Sequence, residues 1–239
     1  MKAVLLAAGR GTRLGAITAN YPKALLEVGG VPVIARILGG LARAGIEDIT
    51  IVTGHLASLL EAEIGNGGES GVRIRYVRQD SADGTARALA LARDWLGEEP
   101  FFFSWGDVLV DPANYRGVLR AARFADHAIA VNEAEDPWAG AAVYIEKATM
   151  AVTRIVEKPP KGTSGTRWNN AGFGVLGPGI WPEIGQLQPS ERGEYELPRA
   201  IARLVACGAH VRAVPVEGYW FDIGTPDELE RARVALGNP

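Results

Sequence analysis

The first fifteen residues constrain the fold most. Lys2–Ala7 is an apolar run of strand length that opens directly into a loop holding Gly9, Gly11 and Gly15. A continuous apolar strand belongs inside a sheet covered on both faces. Glycines at its end let backbone N–H groups approach an anion with no Cβ in the way. Arg10 and Arg13 stand among those glycines, and Pro22-Lys23 follows shortly after. Guanidinium forks match phosphate oxygens, so the segment reads as a polyphosphate site. It is not the dinucleotide fingerprint, which needs glycine where Leu14 stands. Nor is it the P-loop, which closes on Gly-Lys-Ser/Thr rather than Gly11-Thr12-Arg13.

The rest of the first half alternates strand and helix signals. Helices are expected at Val31–Ala44, Leu56–Ile64 and Thr85–Leu96, and strands at Asp48–Thr53, Arg73–Val77 and Phe101–Trp105. This βαβ rhythm predicts an α/β, Rossmann-like, three-layer fold with a mixed, mainly parallel central sheet. The second half is richer in strands: His127–Val131, Ala141–Ile145, Val152–Glu157, Ala171–Leu176 and His210–Val216. Helices are expected at Leu197–Ala206 and Asp227–Leu236. No Ser/Pro/Gly-rich linker separates the halves, so residues 1–239 read as a single domain, with halves of about 1–125 and 126–239. The polar stretch Pro159–Asn170 is the expected mobile loop, a candidate lid.

Composition decides what such a site can serve. A net charge of −3 without a basic block argues against nucleic acid as the main partner. A mildly acidic chain binds a nucleotide when a divalent cation comes with it, which directs attention to the carboxylates. No apolar run reaches the roughly 18 residues of a membrane span. The N-terminus lacks a signal-peptide layout, and Cys207 is the sole cysteine; a cytoplasmic protein with no membrane partner is expected. His55, His127 and His210 lie far apart without zinc spacing, and Cys207 near a helix end suggests no Cys–His nucleophile pair, so these read as structural.

Gly9-Arg10-Gly11-Thr12-Arg13-Leu14 followed by Pro22-Lys23-Ala24-Leu25-Leu26 resembles the sugar-phosphate nucleotidyltransferases. The resemblance extends over nearly the whole chain. It implies that the substrates are a nucleoside triphosphate and a sugar 1-phosphate, with Mg²⁺ as cofactor. It also implies nucleotide contacts from Leu6, Ala8, Gly9, Gly11, Thr12, Arg13, Gln79, Gly84 and Thr85. One departure is Gly15-Ala16, where many members carry a proline shortly after the leucine.

Several groups fall at the carboxyl ends of the expected strands, where open α/β sheets bind ligands. Asp107 in Trp105-Gly106-Asp107-Val108 is either a Mg²⁺ ligand or a turn aspartate capping amides. The resemblance implies the metal. It also makes Trp105 unusual, since many relatives have asparagine there. Asp222, in Tyr219-Trp220-Phe221-Asp222-Ile223-Gly224, is similar to the family's second metal aspartate; Thr225-Pro226 reads as a helix start.

Arg13, Lys23 and Asp107 are the catalytic candidates, because transfer at an α-phosphorus relies on positioning and charge stabilisation. Glu157-Lys158-Pro159 resembles the family's element that holds the sugar and its phosphate, with Asn170, Gly140 and Gly172 as further sugar contacts. Gly172 is expected to leave space for a ring. Gln79 suits the imide edge of uracil or thymine and can equally face guanine, and Thr85 is also explained as a helix N-cap. The expected activity is nucleotidyl transfer to a sugar 1-phosphate, with UTP or dTTP ahead of other bases. A non-catalytic sensor of nucleotide sugars and transfer to another phosphate acceptor are the rivals.

Overall fold

The computed structural model describes residues 1–237. In chain order its elements are β1 (Lys2–Ala7), β2 (Glu27–Val28), β3 (Val31–Pro32), α1 (Val33–Arg43), β4 (Asp48–Thr53), α2 (Ala57–Ile64), β5 (Arg73–Arg78), α3 (Thr85–Ala90), α4 (Arg93–Leu96) and β6 (Phe101–Trp105). There follow β7 (Val108–Val110), α5 (Ala113–Ala121), β8 (His127–Glu133), β9 (Ala141–Glu146), β10 (Ala151–Glu157), β11 (Trp168–Leu176), α6 (Ile180–Gly185), α7 (Leu197–Ala206), β12 (Val211–Pro215), β13 (Trp220–Asp222) and α8 (Pro226–Leu236).

Nine strands form one mixed sheet in the order β5-β4-β1-β6-β11-β8-β12-β10-β9. Its first four strands are mutually parallel, as the βαβ rhythm requires. Beyond β6 the pairings are antiparallel except β12 with β8. The expectation of a mainly parallel sheet therefore holds for the first half only. In the second half consecutive strands such as β9 and β10 are joined by a short turn, which permits only an antiparallel pair. An extra pairing of Asn169 with Ala142 brings β9 back against β11 and closes that half of the sheet on itself.

The period-two alternation of side chains divides the core between two faces. Ala3 and Leu5 of β1 and Phe102 of β6 pack with Ile34, Ile37, Leu38 and Leu41 of α1. Val4, Leu6, Phe101 and Phe103 pack on the other face with Leu89, Leu197, Ile201 and Leu204. The triple Phe101-Phe102-Phe103 thus serves both layers from the sheet centre, all three fully buried. Burial of an aromatic side chain is worth roughly 1.5–3 kcal/mol against leaving it exposed.

Three boundaries differ from expectation for local reasons. Val31 and Pro32 form the returning strand of a hairpin with Glu27 and Val28, so α1 starts at Val33. The helix expected over Thr85–Leu96 breaks at Leu91 and Ala92 into α3 and α4, and Gly97 ends it at φ 75°. Trp168, Asn169 and Asn170 belong to β11, not to a mobile loop. The remainder of that stretch is fastened: Gly162 N–H donates to Asp136 Oδ2 at 2.7 Å and Thr166 Oγ1 to the Val143 carbonyl at 2.9 Å.

Candidate active site

Parallel neighbours deliver their carboxyl ends to one place. Leu6 lies beside Trp105 in register, and the Gly106 N–H donates to the Leu6 carbonyl at 2.9 Å. A Cβ on Gly106 would stand 2.9 Å from that of Ala7, so only glycine lets this turn sit against β1. The turn therefore carries Asp107 to the glycine loop. Gly11 turns that loop in the left-handed region at φ 66°. Its carbonyl accepts from Leu14 N–H at 2.9 Å and from Thr18 Oγ1 at 2.8 Å. A short helical turn, Lys23–Leu25, then presents Lys23.

Asp222 arrives from far along the chain. β13 pairs with β7 so that Asp222 opposes Val108, and Ile223 N–H donates to the Asp107 carbonyl at 3.0 Å. This two-stranded ribbon is the device that juxtaposes the two aspartates. Lys23 Nζ hydrogen-bonds Asp107 Oδ2 and lies 3.8 Å from Asp222 Oδ1. Arg13 Nη2 lies 3.9 Å from Asp222 Oδ2. Burial, then the charge of Asp107, push the Asp222 carboxyl above the usual carboxylate range; Lys23 and Arg13 oppose the rise.

Two carboxylates that face one ammonium are placed to share a cation. Their hard oxygen donors fit Mg²⁺, which takes one or two protein carboxylates and fills its octahedron with phosphate oxygens and water. Among the described residues no group of three or more His, Cys, Asp or Glu is arranged to hold a metal. Thr225 caps α8 just beyond, accepting from Glu228 N–H at 3.3 Å, with Pro226 in the first turn as expected.

Beside the glycine loop, a cavity of about 670 Å³ is lined by Ala8, Arg10, Gly54, His55, Gln79 and Asp80. That volume is ordinary for a small-molecule site. Gln79 donates through Nε2 to Asp83 Oδ1 at 2.7 Å and to the Gly84 carbonyl at 3.2 Å. Its donor is committed within its own loop, leaving the carbonyl oxygen for a ligand N–H. Thr85 is not the expected N-cap of α3. Its Oγ1 accepts from Leu197 N–H at 2.8 Å, and Gly84 occupies the cap position without a side-chain bond.

The sugar-side candidates also converge. Gly140 adjoins Glu157 and Lys158, its carbonyl accepting from Lys158 N–H at 2.7 Å. Glu157 is largely buried, and its carboxyl is pushed up to about 7, first by desolvation and further by Glu196, against the pull of Lys158. Asn170 is buried at 2% exposure; its Oδ1 accepts from Gly172 N–H at 3.0 Å while its Nδ2 has no partner. A buried donor left open is free for a ligand or water acceptor. Gly172 corrects an expectation. Its space is filled by this chain's own ring, since a Cβ there would lie 2.0 Å from the Trp105 indole. The Trp105 Nε1 is likewise buried without a partner.

Sequence reasoning passed over Arg192 and Glu196. Glu196 is buried at 6% exposure, hydrogen-bonded by Arg192, with Lys158 Nζ 3.6 Å away. Nothing in their spacing signals this contact, which depends on how α7 packs against β10. His127 does prove structural: it is buried and its Nδ1 accepts from Gly177 N–H at 3.0 Å.

The chain is similar to known proteins along most of its length. The chain is 32% identical to the Haloferax volcanii UTP–glucose-1-phosphate uridylyltransferase AglF, over 99% of this chain and 96% of that protein. It is 34% identical to a Streptomyces griseus glucose-1-phosphate thymidylyltransferase, over 99% of this chain but 66% of that protein. It therefore spans about two thirds of the latter's length. A Bacillus anthracis crystal structure in complex with sucrose superposes with a TM-score of 0.87 at 28% identity, covering 99% and 95% of the two chains. A UDP-glucose pyrophosphorylase solved with UDP-glucose shares the fold at a TM-score of 0.86 and 22% identity, covering 98% and 97%. The nucleotidyl transferase family model matches residues 2–238. With its Rossmann-like α/β architecture and paired aspartates at the carboxyl end of the sheet, the chain belongs to the nucleotidyl transferase family.

Proposed function

We propose that the chain joins a nucleoside triphosphate, UTP or dTTP first among them, to a sugar 1-phosphate, releasing pyrophosphate. The observation that carries this is the convergence of Arg13, Lys23, Asp107 and Asp222 from three separate segments on one point. An oxygen of the sugar phosphate attacks the α-phosphorus; the α–β P–O bond breaks and pyrophosphate departs with its electron pair. The attacking group is already an anion, so no protein nucleophile or strong base is needed.

Asp107 and Asp222 would hold Mg²⁺, which when bound supplies charge neutralisation of the phosphates. Arg13, on the glycine loop, stabilises the departing pyrophosphate, and Lys23 bridges the α-phosphate and the incoming phosphate. The backbone of Leu6, Ala8, Gly9, Gly11 and Thr12 lines the nucleotide, and the Gln79 carbonyl with Gly84 and Thr85 meets its base. A pyrimidine imide N–H matches the acceptor that Gln79 has left. Lys158 holds the sugar phosphate; Glu157, Asn170 and the Gly140 backbone meet the hydroxyls. Gly172 acts indirectly, by seating Trp105. All these roles fall within a single domain whose partners are small molecules. Among the described residues no helix is long and apolar enough to cross a membrane.

The test is pyrophosphate release across UTP, dTTP, GTP, CTP and ATP against a panel of sugar 1-phosphates, with Mg²⁺ and with EDTA. Metal-dependent release requiring one triphosphate and one sugar phosphate is expected. Asp107→Asn should lower that rate about 10²–10³-fold, the usual cost of one preorganised charge-stabilising group. No release with any pair would overturn the proposal in favour of a sensor. Undiminished turnover by Asp107→Asn would overturn the metal assignment.

A further inference from the structure

We propose that residues 194–197 form a strap that couples the base-side loop to the sugar-side lysine, with Glu196 as the positioning residue for Lys158. The inference rests on the function proposed above and deepens it.

One edge of the strap is stapled to the base-reading loop. Tyr195 N–H donates to the Asp83 carbonyl at 2.7 Å, and the Tyr195 carbonyl accepts from Ala86 N–H at 2.8 Å. Leu197 N–H donates to Thr85 Oγ1 at 2.8 Å. A Cβ on Gly84 would lie 2.5–2.8 Å from the Tyr195 backbone, so the two segments are in direct contact. Arg87 adds a cation–π contact, 4.3 Å above the Tyr195 ring. Both polar groups of the Tyr195 peptide thus follow residues 83–86.

The next residue faces the other substrate. Glu196 is buried, and a buried carboxylate must be paired. Its partners are Arg192 and Lys158, the latter at 3.6 Å from Glu196 Oε1 and 3.6 Å from Glu157 Oε1. Lys158 is thereby held between two carboxylates, one from the end of β10 just before it and one from the strap. A nucleotide that binds residues 83–86 holds the strap through these bonds, and Glu196 in turn holds the Lys158 ammonium. The sugar phosphate then meets a preorganised cation and bears less of the ordering cost. Linkage makes the effect reciprocal, so the sugar phosphate tightens nucleotide binding by the same factor.

The test is calorimetric binding of glucose 1-phosphate with and without the non-reacting α,β-methylene analogue of UTP, in Mg²⁺, and the reverse titration. In the natural chain each compound should tighten the other by roughly 5–150-fold, the usual range of such coupling. In Glu196→Gln the factor should fall below about twofold while each compound still binds alone. A loss of fold would weaken both compounds alone, which the single titrations read separately from the coupling factor. Arg87→Ala, on the exposed side of α3, loosens the strap from the base edge and should also lower the factor; it decides the matter if Glu196→Gln does not fold. Absence of coupling in the natural chain, or coupling unchanged in a folded Glu196→Gln or in Arg87→Ala, would overturn the proposal. Failure of either compound to bind the natural chain, across the substrate panel as well, would instead overturn the proposed function and the strap with it.

Discussion

Lys158 keeps its backbone in the left-handed region, at φ 45°. For an L-residue that costs about 1–2 kcal/mol, and strain of this kind persists where the surroundings over-determine it. Here the Gly140 carbonyl fixes the Lys158 N–H, and two carboxylates hold its ammonium. Lys158→Gly and Lys158→Ala remove the same charge, but only the glycine relieves the strain. The glycine variant should be about 1 kcal/mol more stable than the alanine variant in urea melts, with activity lost in both. Equal stability would show that the backbone is unstrained there. Glu157, next in the chain, gives a pH prediction. Its folded carboxyl is raised to about 7, so the fold binds that proton more tightly than the open chain does. The stability it contributes is complete below the ordinary carboxylate range and is lost as pH rises through about 7. Glu157→Gln should lack this fall; melts between about pH 5 and pH 8 that decline equally in both proteins would refute it.

At the scale of elements, the contact between β6 and β11 holds the site's floor. Gly172 on β11 sits at φ 86° with the Trp105 indole where its Cβ would be. Gly172→Ala should therefore cost about 2–4 kcal/mol, from overpacking and from the left-handed backbone. Trp105→Ala in the same chain should recover more than about 1 kcal/mol of that, which a double-mutant cycle reads directly. Strictly additive losses would mean the two residues do not press on one another. This contact also shows what a linear sequence conceals. Trp105 was recognisable as an unusual neighbour of Asp107, yet its partner lies 67 positions on. The parallel half was legible because β1, β4 and β6 are buried apolar runs, β5 alternates with period two, and the helices between them carry their own period. The β7–β13 ribbon was not: three-residue strands carry no period, and their pairing joins distant segments. The start of β11 was obscured because Asn169 and Asn170 are buried polar residues. They owe their place to hydrogen bonds, Asn169 accepting from Ala141 N–H at 3.1 Å and donating to Asn132 at 3.1 Å. Asp107 and Asp222 were singled out from motif resemblance, whereas Glu196 and Arg192 required the packing of α7.

Across the whole molecule, the candidate site is assembled from both ends of the chain. The glycine loop and Lys23 come from the first strand region, Asp107 from the sheet centre, and Asp222 from the last ribbon. Unfolding must separate groups more than 200 positions apart, so the open chain has no equivalent site. A ligand that requires the assembled site therefore stabilises the fold by mass action, by about 2.7 kcal/mol at a free concentration a hundredfold above its dissociation constant. For a chain of this length 1 kcal/mol moves the melting temperature by about 2–4 °C, which predicts a rise of roughly 5–11 °C. The α,β-methylene analogue of UTP with Mg²⁺ should produce that rise. Chelation should remove most of it, because without a shared cation Asp107 and Asp222 repel the phosphates that Arg13 and Lys23 attract. Asp222→Asn lessens that repulsion, so it should narrow the gap between the Mg²⁺ and EDTA melts rather than abolish analogue binding. Equal shifts with and without metal in the natural chain would place the nucleotide away from the paired aspartates.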